Sequence, residues 1–179
     1  MLIKHKWIFL VFTLVLLTAC SPESREGAMM EVESTDLSNE TIDDIKAGMS
    51  INDESLIMKH GKFEKHPDND HYATLRNYDQ YWNKHFIMSV DRETKEILQV
   101  SVLEENNTSS TAMGIKRGSS IDEVTATYGE NYYIYEDKEQ TIYLIGYVDH
   151  QNDLQLSFLH FDNKVIGMNI GYNFNGMKY

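Results

Sequence analysis

Apolar and polar residues alternate through "ILQVSVL" (97–103) and "VIGMNIGY" (165–172), the period-two signature of strands with one buried face. The same alternation predicts strands over 72–78, 81–90 and 96–103 in the first half of the chain, with a short piece near Lys62 to Glu64. In the second half it predicts strands over 131–135, 141–148, 154–161 and 164–172. Between them stand turn-forming residues: Asp79-Gln80, Asp91 to Lys95, Asp149 to Asp153, and Asp162-Asn163. Helical spacing shows once clearly, in the stripe Ile121, Val124, Thr125 and Tyr128. Ser120 and Glu123 ahead of that stripe form a capping box, in which each side chain satisfies the other residue's free backbone N–H. Ser50-x-x-Asp53 is a weaker version, and "SNETIDDIK" (38–46) predicts one further helix.

These elements recur. Ile45-Lys46-x-Gly48 matches Ile115-Lys116-x-Gly118 at a shift of 70 residues. Gly61 matches Gly129 at a shift of 68, which also lays Leu98, Val100 and Val102 on Ile166, Met168 and Ile170. A two-residue difference inside the first helix reconciles the registers, and agreement at both ends of the unit predicts an internal duplication. Gly61 and Gly129 stand where a helix ends in a turn that glycine enters without steric cost. The expected fold class is therefore α+β: two tandem helix-plus-antiparallel-sheet repeats, with the helices on one face of the sheet. Repeat 1 spans 41–103, a linker 104–113, and repeat 2 114–179.

The stretch "TIDDIKAGMSINDESLIMKHG" resembles the opening of a repeat in the β-lactamase inhibitor protein (BLIP) family. It is also similar to the SmpA/OmlA/BamE small-lipoprotein domain, whose units run helix, Gly-Met-Ser/Thr, helix, Gly and antiparallel strands. The pattern covers most of 38–172, twice. Ser119 stands where Met49 does in the first unit, the first helix is the longer, and the cysteines that bridge BLIP repeats are absent. The resemblance implies non-catalytic binding of another protein, either inhibition of a secreted enzyme or a scaffold role in an envelope assembly. A second stretch, "FIMSVDRETKEILQVSV", resembles the PepSY domain, another extracytoplasmic helix-and-hairpin module.

The first twenty residues change the picture. Two lysines precede an apolar run from Trp7 to Leu17, too short for a membrane span of about 20 residues and matched to a signal-peptide core. Leu17-Thr18-Ala19-Cys20 resembles the bacterial lipobox, which implies a signal peptide over 1–19 and lipid on Cys20. Stable anchoring takes two acyl chains, each buried CH₂ contributing about 0.8 kcal/mol. Residues 20–40 are polar and acidic without apolar periodicity, and read as a flexible tether of about 20 residues with a reach of roughly 25 Å. Cys20 is the only cysteine, so the fold has no disulfide. The short lysine-rich leader and the lack of disulfides favour a Gram-positive cell membrane, with the domain on its extracytoplasmic face.

The formal charge is −12, and removing Lys4 and Lys6 with the leader makes the mature chain two units more negative. That excludes nucleic acid as a partner and suits a basic protein or simple solubility. No metalloprotease helix, phosphate-binding glycine loop or nucleophile elbow occurs, so neither catalysis nor a cofactor is expected. "HPDNDH" gathers His66, Asp68, Asp70 and His71, residue types that a metal site or small-ligand sensor uses, but the composition is that of an exposed turn, so no metal is expected. The aromatic residues carry the remaining signal. Trp82, Phe86, Met88 and Val90 fall on one strand face and Tyr81, His85 and Ile87 on the other. In "TIYLIGYV", Leu144 and Val148 oppose Tyr143, Ile145 and Tyr147. If helices cover one side only, Tyr81, His85, Tyr143 and Tyr147 become a protein-binding set on the open side; strand propensity alone also accounts for tyrosine there.

Overall fold

The computed structural model describes residues 24–67 and 75–173. Its strands are β1 (Glu64–Lys65), β2 (Tyr78–Trp82), β3 (Phe86–Asp91), β4 (Ile97–Val102), β5 (Tyr133–Asp137), β6 (Ile142–Asp149), β7 (Leu154–Phe161) and β8 (Lys164–Tyr172). They form one antiparallel sheet in the order β1-β2-β3-β4-β8-β7-β6-β5. Three short helices accompany it among the described residues: α1 (Arg25–Glu31), α2 (Glu54–His60) and α3 (Ile121–Tyr128).

The expected pair of tandem helix-plus-sheet repeats does not form. β4 and β8, which would be edge strands of separate units, pair through Gln99↔Gly171, Val100↔Ile170 and Ser101↔Asn169. Among the described residues 40% are in strands and 15% in helices, so one large sheet dominates and the helices are trimmings. The physical reason is the edge: two small sheets would each leave a row of unpaired N–H and C=O groups, and fusing them removes both rows.

The registers define two rows that run across the sheet on opposite faces. One row is Lys65, Tyr81, Met88, Val100, Ile170, Leu156 and Tyr147. From Met88 to Tyr147 this row is buried under the helix side, where Leu56 of α2 and Val124 of α3 close the main core with Ile42, Ile45 and Ile115. The neighbouring row is Glu64, Trp82, Ile87, Ser101, Asn169, Ser157, Gly146 and Tyr133. It lies on the opposite side, the outer face.

Local chemistry explains most of the element ends. The Ser120–Glu123 capping box forms, with Glu123 Oε2 accepting from Ser120 N at 2.6 Å and Ser120 Oγ from Glu123 N at 3.1 Å. In the first half the cap is Asp53, not Ser50, and α2 is one residue shorter than α3, not longer. Both helices stop at glycine, Gly61 at φ +79° and Gly129 at φ +91°, each with extended ψ, a combination that excludes a Cβ. Residues 38–46 form no helix, because Asp43 and Asp44 adopt positive φ and Ile42 bridges back to Ile45. Asp79-Gln80 is not a turn but lies inside β2, where Asp79 is held by Lys65 (2.8 Å) and Arg92 (2.9 Å). The expected strand over 81–90 is broken by a turn at Asn83, whose Oδ1 accepts from His85 N and Phe86 N. The linker is equally unlike its composition: Asn106, Ser109 and Thr111 are buried, and Glu40 accepts from Ala112 N at 2.6 Å and Tyr128 Oη at 2.8 Å.

Gly171 sets how closely the two halves approach. A Cβ there would lie 2.6 Å from Leu98 O and 2.9 Å from Gln99 Cα, both on β4. Gly171→Ala is expected to cost about 1–3 kcal/mol in denaturant unfolding, since backbone must move. Gly167→Ala, whose Cβ would meet only Leu159 at ordinary contact distance, is expected to be near neutral. Equal midpoints for the two variants would show that the β4–β8 seam is not closely packed.

Candidate binding face

Among the described residues α1 is the cover on the outer face, and it covers one part of it. Ser24 caps this helix by accepting from Gly27 N at 3.0 Å. Its Met29 is buried against Tyr133, Leu144 and Val148. Tyr133 lies flat there because Gly146, its cross-strand partner, has no side chain; a Cβ would sit 2.5 Å from the ring. Burial raises the Tyr133 hydroxyl pKa, against the pull of Arg25, so the phenol stays protonated. Arg25 Nη2 donates to Gln155 Oε1 at 2.9 Å and to Tyr133 Oη at 3.2 Å. Residues 24–40 are thus not the tether that their composition suggests: the segment from Ser24 onward is part of the folded domain.

The segment after α1 is pinned as well. Thr35 N donates to Val148 O at 2.8 Å and His150 N to Ser34 Oγ at 3.0 Å. Asp149 is the main fastening. Its carboxylate accepts from Leu37 N (2.9 Å), Gln151 N (3.0 Å), Asn152 N (3.0 Å) and Asn152 Nδ2 (2.8 Å). Burial alone would raise its pKa, but these donors outweigh it and hold the group below the usual carboxylate value.

Beside α1 the outer row opens into a groove of about 260 Å³. Its floor is Gln99, Ser101, Ser157, Asn169 and Leu159, with Leu144 and Arg25 on the α1 side. Asn169 Nδ2 donates to Ser101 Oγ at 2.6 Å across the seam, while Asn169 Oδ1 is buried without a hydrogen-bond partner. Farther along the row, Ile87 leads to Trp82, which is 41% exposed. A second opening of about 410 Å³ surrounds Trp82 with Lys62, Glu64, Asn83 and Lys84. The face therefore runs from an exposed indole, over hydroxyls and an amide, to the wall of α1.

None of the four residues expected to form the binding set lies on this face. Tyr147 is fully buried beneath α3, 5.2 Å from the Tyr128 ring, and donates to Gly129 O at 3.0 Å. Tyr81 pairs with Met88 and packs on the main core. Tyr143 falls on the same helix-side face of β6, with its ring 6.3 Å from that of His160. His85 sits in the turn before β3. The alternation within β6 was legible, but both faces of that strand are covered, Ile145 and Tyr147 by the main core and Leu144 and Val148 by α1. In β2 and β3 the Asn83 turn reverses the phase, so Trp82 and Phe86 end on opposite faces. The glycine opposite Tyr133, and the two methionines of "GAMM" after a capping serine, are the signals that point to α1.

Another polar cluster lies under α2, around a cavity of about 220 Å³ that includes His60, His85, Asp43, Asn106 and Ser109. Ser109 gives its hydroxyl to Asp43, Asn106 Nδ2 donates to Ser109 Oγ at 2.6 Å, and the His60 ring meets Asp43 O at 3.0 Å. Ser109 thus bonds to a carboxylate and an amide, not to a histidine that would activate it. Of the histidine–aspartate stretch, His66 turns its ring onto Trp82 at 4.8 Å. Asp68, Asp70 and His71 lie outside the described residues, as do Cys20 and the leader. Among the described residues no three His, Cys, Asp or Glu side chains converge as a metal site, and no helix is long and apolar enough to cross a membrane.

No family model and no curated protein matches the chain. Among solved structures it is similar to a DUF4309 family protein, YjgB, from Bacillus subtilis. The identity is 14%, the TM-score 0.37, and the match covers 66% of this chain and 76% of that one. A likeness of this degree is too slight to assign a shared fold.

Asp149 provides a test of the α1 cover. Asp149→Asn is expected to cost about 1–3 kcal/mol, because one amide cannot accept all four donors, and to speed amide exchange at Leu37. The folded pKa lies below the unfolded value of 3.8, so this contribution is present above 3.8 and is lost as pH falls through the folded value. The variant should show a shallower acid arm in its stability profile. An acid arm unchanged by the substitution would remove Asp149 as the fastening.

Proposed function

We propose that the chain is a lipid-anchored, extracytoplasmic, non-catalytic protein-binding module that uses the outer face of its sheet. The observation that carries this reading is the part of the face left open among the described residues, where Trp82 stands exposed next to Ile87 and the groove is floored by the polar side chains Gln99, Ser101, Ser157 and Asn169. An extended polypeptide fits that combination. Its side chains supply apolar contact for the indole, and its backbone N–H and C=O groups find hydrogen-bonding side chains along the groove floor. The anchor is Cys20, on the strength of the lipobox-like Leu17-Thr18-Ala19-Cys20. Restraint of a secreted enzyme and support of an envelope assembly both use such a face; they differ in where the partner sits.

Two measurements test the proposal. Cys20→Ala should abolish lipid-dependent processing and detergent-phase partitioning, and native protein with an unmodified thiol would refute the anchor. Once the bound protein is identified by crosslinking in cells, Trp82→Ala should weaken its affinity by about 2 kcal/mol, roughly thirtyfold, with the circular dichroism spectrum unchanged. Wild-type affinity in the folded variant would move the interface off this face.

A further inference from the structure

On the reading of the outer face as polypeptide-binding, we infer that it takes an extended segment of about six residues that carries no charged side chain. The registers place the relevant groups side by side. Next to the row that holds Trp82 and Ile87 runs a second outer row: Gln80, Ser89, Gln99, Gly171 and Gln155. On the other side of the Trp82 row stand Leu159 and Gly167. Between Trp82 and α1 these strand positions hold amides, hydroxyls, glycines and aliphatic side chains only. Asp, Glu, Lys and Arg make up 25% of the chain, yet none of them stands here, although Gln80, Ser89, Gln99 and Ser101 are only half-buried. An ordinary solvated strand face carries charge; the interior of an interface is depleted of it.

The charges at the two ends of the face select neither sign. Glu64 shares the Trp82 opening with Lys62 and Lys84. Arg25 is the only charged side chain along the groove among the described residues, and it donates to Gln155 and Tyr133. A carboxylate or ammonium pressed onto the floor between these ends would lose water without gaining an opposite charge, which is costly. Glutamine, asparagine and serine each donate and accept hydrogen bonds. They match the N–H and C=O groups of an extended backbone in either chain direction, and hydroxyl or amide side chains as well. Length follows from the strand order. From Trp82 to Ser157 the row crosses from β2 through β3, β4 and β8 to β7, and steps of about 4.8 Å give a span of about 19 Å. About six extended residues cover that distance.

Trp82 supplies the readout. The chain has two tryptophans, so Trp7→Phe in the full-length protein leaves Trp82 as its sole indole. The probes are tryptophan-free random dodecapeptides displayed on phage, selected on this protein and counter-selected on its Trp82→Ala derivative. The recovered peptides, made synthetically, should share an uncharged run of about six residues and shift the Trp82 emission to shorter wavelength. Their affinity should change less than about twofold between about 0.05 and 0.5 M salt. Gln99→Glu and Gln99→Lys should each weaken binding about tenfold, whichever the sign, with the circular dichroism spectrum unchanged. Basic peptides that bind more tightly to Gln99→Glu and more weakly in high salt would overturn the inference while leaving the face as a peptide-binding surface. Acidic peptides that prefer Gln99→Lys would do the same. Recovery of no peptide that separates the protein from Trp82→Ala, or an emission shift with cellohexaose alone, would remove the polypeptide reading and this inference with it.

Discussion

The arrangement depends on three residue pairs at the β4–β8 seam. Without them each half would end in an exposed edge, and the two faces would not be continuous. The seam is close because Gly171 has no Cβ to press on Leu98 O and Gln99. Val100 and Ile170 fill its helix side, each almost wholly buried, while Ser101 and Asn169 bond across its outer side. The same contact therefore supplies core on one face and the polar centre of the groove on the other. Cohesion and the candidate site are products of one register.

The register also explains why the two sides of the sheet differ. On the helix side the row from Met88 to Tyr147 is apolar and fully enclosed. On the outer side the row changes character along its length: indole and isoleucine, then hydroxyl and amide, then glycine under a tyrosine. A uniformly apolar outer row would demand a complete second layer of helices. This graded row accepts a single short helix at the glycine–tyrosine end and leaves the rest to solvent or to a partner. The buried Asn169 oxygen marks the place where that partial cover is least satisfied.

Much of this architecture is legible in the chain. β7 and β8 fall where the alternation puts them, β4 within a residue, and the Ser120–Glu123 box caps α3 as its spacing requires. The departures share a cause, which is that period-two patterning reports which residues share a face and not what covers it. The alternation separates Leu144 from Tyr147 correctly, yet it points to the aliphatic side as the core, because nothing in the local pattern reveals that α1 returns to cover it. A turn at Asn83 reverses the phase between Trp82 and Phe86, and one continuous alternating run conceals it. Strand pairing between distant halves has no local signature either, so two fused half-sheets read as two units. The candidate face is therefore illegible in the sequence even though Trp82, Ile87, Ser101 and Asn169 are all in plain view.

α1 brings the fold and the proposed function together. Seven residues are too few for a helix to persist alone in water, where about 12–15 are needed, so α1 exists because it is docked. Burial of Met29 supplies about 1.5–3 kcal/mol towards that, and the Arg25 and Asp149 bonds fix its entry and exit. A helix held by so few contacts is sensitive to its surroundings. Leu144 and Arg25, which line the groove, are the same residues that hold α1 down, so on the proposed reading occupancy of the groove and docking of the helix reinforce each other.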